Sequence, residues 1–163
     1  MDRLKHWEFS TIYSVYFILA VLFIVSIYNG QRTTWYQNLV KSTINPWIIK
    51  SLWILGFGIS YIAFYLVWED VKVHRIPLDF ILSSLFLIVA FLFVLWSAVF
   101  FYLQSIRLAL IVAFIIFIYN FWLFIYLWYI NPFASIFLIP SLILYFYLLY
   151  DTIHTAGLNG VII

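Results

Sequence analysis

The 163-residue chain contains no cysteine, which excludes disulfides, thiolate catalysis and cysteine-ligated metal sites together. Charge is scarce as well. Only 9% of residues are Asp, Glu, Lys or Arg, against about a quarter in soluble domains. With 67% of the residues hydrophobic, that shortage places the chain in a membrane. A formal charge of +2 is too small to suggest a nucleic-acid partner. A Gly-rich phosphate loop, a carboxylate pair at a pocket and a nucleophile elbow are all missing. His6, His74 and His154 are scattered over termini and a loop, without metal-ligand spacing. No Lys or Arg follows Arg107, so a C-terminal sterol motif ending in a basic residue is excluded; Val25, Tyr28 and Arg32 fit that pattern only formally.

What is present is apolar run after apolar run. A helical span needs about 20 mostly apolar residues to cross a hydrocarbon core roughly 30 Å thick. Five stretches qualify, at about 9–28, 47–68, 80–103, 108–130 and 133–150. They predict an all-α integral membrane protein, a five-transmembrane-helix bundle forming one domain over 1–163. The first run is longer than the h-region of a signal peptide, and no small-residue cleavage site follows it. Between the last two spans the break must come from Asn131-Pro132, because proline disfavours helix in the residue before it; a kinked re-entrant pair is the alternative. Asp151 is expected to bound the fifth span, and Glu69 to Arg75 to form a solvated loop. No ionisable residue falls near the middle of an expected span, which argues against an ion-coupled transporter. Arg3, Lys5, Lys72 and Arg75 on one side balance Arg32, Lys41, Lys50 and Arg107 on the other, so charge gives no orientation. Gly56 with Ser60, and Ala109 with Ala113, are small-residue pairs suited to close helix packing and carry no chemistry.

Of the connections, only Asn29 to Pro46 is long enough to be a structured lid, and it holds the distinctive part of the chain. Trp35-Tyr36-Gln37-Asn38-Leu39-Val40-Lys41 is followed by Pro46-Trp47 and then Trp53. Five of the eight tryptophans, Trp7, Trp35, Trp47, Trp68 and Trp128, fall at expected span ends and suit an interfacial belt. Trp122 lies within a span without clustered neighbours. Trp53 and Trp96 fit a belt less well. Trp53 lies six residues into its span, about 9 Å deep at helical rise. An inward indole at such a depth is a good platform for a flat apolar ligand.

This pattern resembles the TspO/MBR family, the tryptophan-rich sensory and translocator proteins. Their signature reads W-Y-x-x-L-x-K-P, then P-P-x-W-V-x-x-x-V-W, with a further V-W closing the second helix. Trp35, Tyr36, Leu39 and Lys41 match the first part, with Ser42 in place of proline. Pro46, Trp47, Leu52 and Trp53 follow on a loop about two residues shorter, and Val67-Trp68 closes the span. Trp96-Ser97 with Phe100-Phe101 is similar to W-S-x-x-F-F, Leu108-Ala109-Leu110 to L-A-L, and Asn131-Pro132-Phe133-Ala134 to an S-P-L-A turn. Pro140 matches the proline of P-Y-L-x-W. There are departures. Phe93 and Val89 stand where the family has asparagine and often glutamine, and both share a helical face with Trp96 and Phe100. Ser141 replaces a tyrosine, Leu144 replaces the span-five tryptophan, and Asp151-Thr152 is the nearest match to a Leu-Asn pair.

The resemblance implies a lid from Trp35 to Trp47 over a pocket lined by Trp53, Phe57, Trp96 and Phe100. The expected ligand-binding set is Trp35, Tyr36, Lys41, Pro46, Trp47, Trp53, Phe57, Phe93, Trp96, Phe100 and Leu144, with no catalytic and no metal-binding residue. It implies a protein that binds, translocates or senses a large flat apolar ligand, a tetrapyrrole such as protoporphyrin or a sterol-like lipid. No cofactor is required; a tetrapyrrole enters as ligand. Lys41 and Arg32 are candidates to pair with a propionate or other anionic head. The alternatives are a light-dependent porphyrin-degrading enzyme, from which Leu144 removes a partner indole, and a membrane scaffold that has lost ligand chemistry. The loss of polar lining at Phe93 and Val89 points toward sterol- or lipid-like ligands. Expected partners are membrane lipid and the small molecule, with a homodimer permitted. The resemblance places the chain in the mitochondrial outer membrane if eukaryotic, or a cell envelope if bacterial.

Overall fold

In lipid, backbone N–H and C=O groups find no water, so a lone apolar segment can satisfy them only as helix. The computed structural model describes the backbone of residues 2–40, 46–74 and 79–161, and the side chains of 10–40, 53–69 and 81–161. It holds α1 (Asp2–Gly30), α2 (Thr34–Asn38), α3 (Pro46–His74), α4 (Asp79–Ser97) with a π-helical turn (Ala98–Tyr102), α5 (Ile106–Ile130), α6 (Pro132–Ile136) and α7 (Ile139–Leu158). No strand occurs among the described residues. Ser10–Gly30, Ile81–Tyr102, Ile106–Ile130 and Pro132–Leu158 are each long and apolar enough to cross a membrane. The remaining long helix, α3, has 29 residues, about 43 Å at helical rise.

The surface is inverted relative to a soluble protein. Phe17, Ile54, Phe91, Ile111, Phe121 and Ile143 are all exposed, a continuous apolar coat that water would not tolerate and lipid does. The chain is an all-α integral membrane protein.

Helix ends follow local chemistry. Asn131 caps α6 by accepting from the Ala134 N–H at 2.8 Å, and Pro132 occupies the first helical position, where no N–H is needed. Asn131-Pro132 therefore makes the expected break, and a second proline, Pro140, opens α7. Ser105 caps α5.

Three expectations change. The Glu69–Arg75 run is not a loop as far as it is described: α3 continues helically through His74. The sequence has no helix-breaking residue before Pro77, so leaving the apolar region does not end the helix. Asp151 does not end the fifth span either, since α7 runs two turns further to Leu158, carrying His154 with it. One carboxylate is thus inside the bundle, partly buried, where none was expected. Trp68 is buried against Phe64, with ring centroids 6.1 Å apart, and packs the core rather than an interfacial belt.

α5 packs along α7 and α4, α1 along α4, and α3 against α4 and α7. Association in lipid relies on close approach and a few interhelical hydrogen bonds, and both occur. Ala109 and Ala113 are fully buried. A Cβ on Gly56 would meet the terminal methyl of Leu144, so the glycine leaves room for that side chain at the α3–α7 seam. At that seam the Ser60 and Ser141 hydroxyls are 2.8 Å apart. Ser141 also donates to the Gly56 carbonyl at 3.2 Å, and the Tyr145 hydroxyl lies 3.3 Å from Ser60. Ser141, a departure from the family pattern, is what joins the two helices.

Candidate functional site

The first connection folds into a lid. α1 ends at Gly30, and the Thr33 hydroxyl donates to the Gly30 carbonyl at 2.7 Å while accepting from the Tyr36 N–H at 3.3 Å. This cap turns the chain straight into α2. Gly30 is required on steric grounds: a Cβ there would lie 2.2 Å from the Phe101 ring. α2 then lowers two aromatic side chains onto the π-helical turn. Trp35 meets Phe100 edge-on at 5.5 Å, and Tyr36 meets Phe101 at 5.4 Å. The wider π turn allows Val99, Phe100 and Phe101 to be buried in succession, and such turns recur at functional sites. The far side of the lid is tied to the end of α7. Asn159 accepts from the Val40 N–H at 3.2 Å and donates to the Val40 carbonyl at 3.0 Å.

Beneath this roof is a chamber of ≈ 60 Å³, reached by Gln31, Tyr36, Trp53, Trp96, Tyr147 and Asp151 among its walls. Trp53 and Trp96 are 4% and 7% exposed, so both indoles point inward rather than into lipid. The chamber wall carries polar groups from Gln31, Tyr147 and Asp151. The Trp96 Nε1–H and the Tyr147 hydroxyl are buried with no hydrogen-bond partner among the described residues. Burial pushes the Tyr36 phenol above its ordinary value of 10.0; the nearby Asp151 carboxylate adds to this, and a hydrogen bond with Gln31 works against it. Tyr36 therefore stays a neutral hydroxyl at physiological pH.

Deeper in the bundle the interior closes. Phe93, fully buried, is the hub of an aromatic layer. Its ring lies 5.2 Å from Phe23, 5.2 Å from Trp53, 5.4 Å from Phe57 and 5.0 Å from Tyr145. The tilted and edge-on geometries match the quadrupole preference of such rings.

Of the residues singled out from sequence, the structure brings Tyr36, Trp53 and Trp96 to the chamber, sets Trp35 and Phe100 above it, and places Phe57 and Phe93 in the layer below. Leu144 does not join them. It packs on Gly56 and lines a lipid-facing groove of ≈ 360 Å³ with Pro140 and Ile143. The aromatic partner that Leu144 withholds is supplied one residue on, by Tyr145, stacked 6.5 Å from Trp53 at an interplanar angle of 22°. Lys41 lies outside the described residues. Pro46 and Trp47 begin α3, with side chains outside the described set. Arg32 turns away from the chamber: its guanidinium covers the Tyr28 ring, 4.0 Å from the centroid, and donates to the Tyr28 hydroxyl. Trp122 has the neighbours it was expected to lack, stacking on Tyr126 at 5.4 Å with Tyr119 at 5.8 Å.

Sequence reasoning missed Phe23, Gln31, Tyr147, Asp151 and Asn159. Tyr147 and Asp151 are four apart on one helix, so they share a face, a signal that treating Asp151 as a span end concealed. Phe23 sits in a Tyr16, Ala20, Phe23, Ile27 stripe that is buried throughout, yet nothing in so uniformly apolar a helix marks it out.

With the lid, the inward indoles and the five long helices in place, the comparison with known families is decisive. The sequence pattern of the TspO/MBR family matches residues 14–156. The chain belongs to the TspO/MBR family. No curated protein matches it. In this TspO/MBR member the matched stretch takes in the lid, both chamber indoles and Asp151. It stops short of Asn159, the side chain that fastens the lid.

Proposed function

We propose that this TspO/MBR protein binds a large, flat, mostly apolar ligand, a tetrapyrrole or a sterol-like lipid, between its lid and its aromatic layer. The observation that supports the reading is the lidded chamber walled by Trp53 and Trp96. Inward indoles offer stacking area, and the unpartnered Trp96 and Tyr147 donors offer orientation, the combination expected of a small-molecule site. At ≈ 60 Å³ the chamber admits only one end of such a ligand, because occupied pockets run to about 300–1,000 Å³. Binding therefore requires the lid to lift. Its attachments suit that: edge-on ring contacts and two hydrogen bonds to Asn159, with a capped turn at Gly30–Thr33 to pivot on.

The test is a titration of the purified protein with protoporphyrin and with a hydroxysterol, followed by tryptophan fluorescence. Saturable quenching that weakens at least tenfold in Trp53→Ala supports the reading, provided the variant retains its helical circular dichroism. Absence of saturation with both ligands leaves the scaffold alternative.

A further inference from the structure

Resting on that reading, we infer that the chamber selects the end of its ligand by charge: it takes a neutral hydroxyl and rejects a carboxylate or other anion. Three groups on the chamber wall carry this. Two are donors without a partner among the described residues, the indole Nε1–H of Trp96 on α4 and the hydroxyl of Tyr147 on α7. Trp96 is more than nine-tenths buried and held flat against Phe100, 5.2 Å away and 10° from parallel, so its N–H direction is fixed by packing. A buried donor left unpaired costs about 1–3 kcal/mol, so an acceptor brought to it by a ligand is rewarded. The third group is the Asp151 carboxylate, one turn beyond Tyr147 on the same helix.

A hydroxyl oxygen has two lone pairs and one proton, so it can accept from Trp96 and Tyr147 and donate to Asp151. A carboxylate satisfies the two donors but offers Asp151 no proton, and with Asp151 ionised it meets like charge where the surrounding aromatic rings give little screening. Of the described basic residues, Arg32 is engaged on Tyr28 outside the chamber, and His154, one turn on from Asp151, is exposed and stacked on Tyr150. The volume agrees, since ≈ 60 Å³ holds a polar end and not a ring system. Among the two ligand classes considered above, a hydroxysterol fits better than a tetrapyrrole with free propionates.

Two matched pairs test this at neutral pH: protoporphyrin against its dimethyl ester, and a 3-hydroxysterol against its sulfate. In each pair the body is constant; the charge of the end changes together with a methyl or sulfate group, and Asp151→Asn separates charge from bulk. The neutral member of each pair is expected to bind about tenfold more tightly to the wild-type protein, and Asp151→Asn, which keeps shape, should reduce that ratio to within about threefold. Trp96→Phe, which keeps the stacked ring and removes the N–H, should weaken the hydroxysterol about three- to tenfold while preserving the neutral preference. Equal or tighter binding of the anionic members to wild type overturns the charge selection and leaves the binding reading standing, with no variant needed. A preference that persists unchanged in Asp151→Asn overturns the role of that carboxylate. If none of the four saturates, the binding reading and the selection fall together.

Discussion

The aromatic layer around Phe93 and the chamber above it are built from the same four helices, yet they are opposites. In the layer four rings lie 5.0–5.4 Å from Phe93, and the Tyr145 hydroxyl among them is engaged with Ser60. One turn nearer the lid, Trp96 and Tyr147 keep buried donors without partners among the described residues, and Asp151 adds a carboxylate. The layer is saturated and the chamber is not. A saturated region holds a bundle together, whereas unused hydrogen-bonding capacity is what the proposed binding of a ligand would draw on.

Substitutions should separate the two. The largest effect is expected from Phe93→Ala. Lipid tails offer little hydrophobic drive between helices, so the cost is mainly the cavity term, roughly 2–3 kcal/mol for the volume of a phenyl ring. Reversible unfolding in mixed micelles would measure it, and a loss under about 0.5 kcal/mol would deny the layer its structural role. Next is Gly30→Ala, whose methyl must displace Phe101. An overpacking cost of about 1–3 kcal/mol is expected, together with a red shift of Trp35 emission as the lid lifts. At the α3–α7 seam, Ser141→Ala removes the bond to Ser60 and should lower stability by about 0.6–1.7 kcal/mol, leaving ligand affinity unchanged within twofold.

Asn159→Ala should behave differently from all of these. It removes both bonds to Val40 and should cost about 1 kcal/mol locally, accelerating amide exchange in α2 while the global unfolding midpoint moves little. Equal protection of lid amides in the variant would show that Asn159 is not the fastening. The smallest effect concerns Tyr36. Its phenol is raised in the folded state, so the stability it lends is complete below about pH 10 and is lost as pH rises through the folded value. Tyr36→Phe should therefore flatten the decline of lid protection in strongly alkaline solution and change nothing at neutral pH.

The contrast between layer and chamber also explains what could be read from the sequence. The all-α membrane bundle and its long helices were legible because they depend on coarse quantities: run length and the Asn131-Pro132 break. The inward direction of Trp53 and Trp96 was legible because both sit too deep for an interfacial belt. Partner identity was not. In helices apolar on every face, periodicity does not say which side turns inward, so Phe23 passed unnoticed and Leu144 was placed beside the indoles when Tyr145 is the residue that stacks there. The Asp151 error had another cause. A charge is not in itself a boundary: a helix ends where a capping group or proline stops it, and α7 meets neither at Asp151.

One measurement bears most directly on the claim that the chamber, rather than any lipid-facing hollow, receives the ligand. A photoreactive hydroxysterol, cross-linked to the protein in lipid bilayers and mapped by peptide mass spectrometry, has a second plausible destination: the open groove of ≈ 230 Å³ between α1 and α3, lined by Tyr13, Phe17, Ile24 and Ile54. Labelling of Tyr36, Trp53 or Trp96, competed by unmodified sterol, is the expected result. Label confined to Tyr13, Phe17, Ile24 or Ile54 would contradict it.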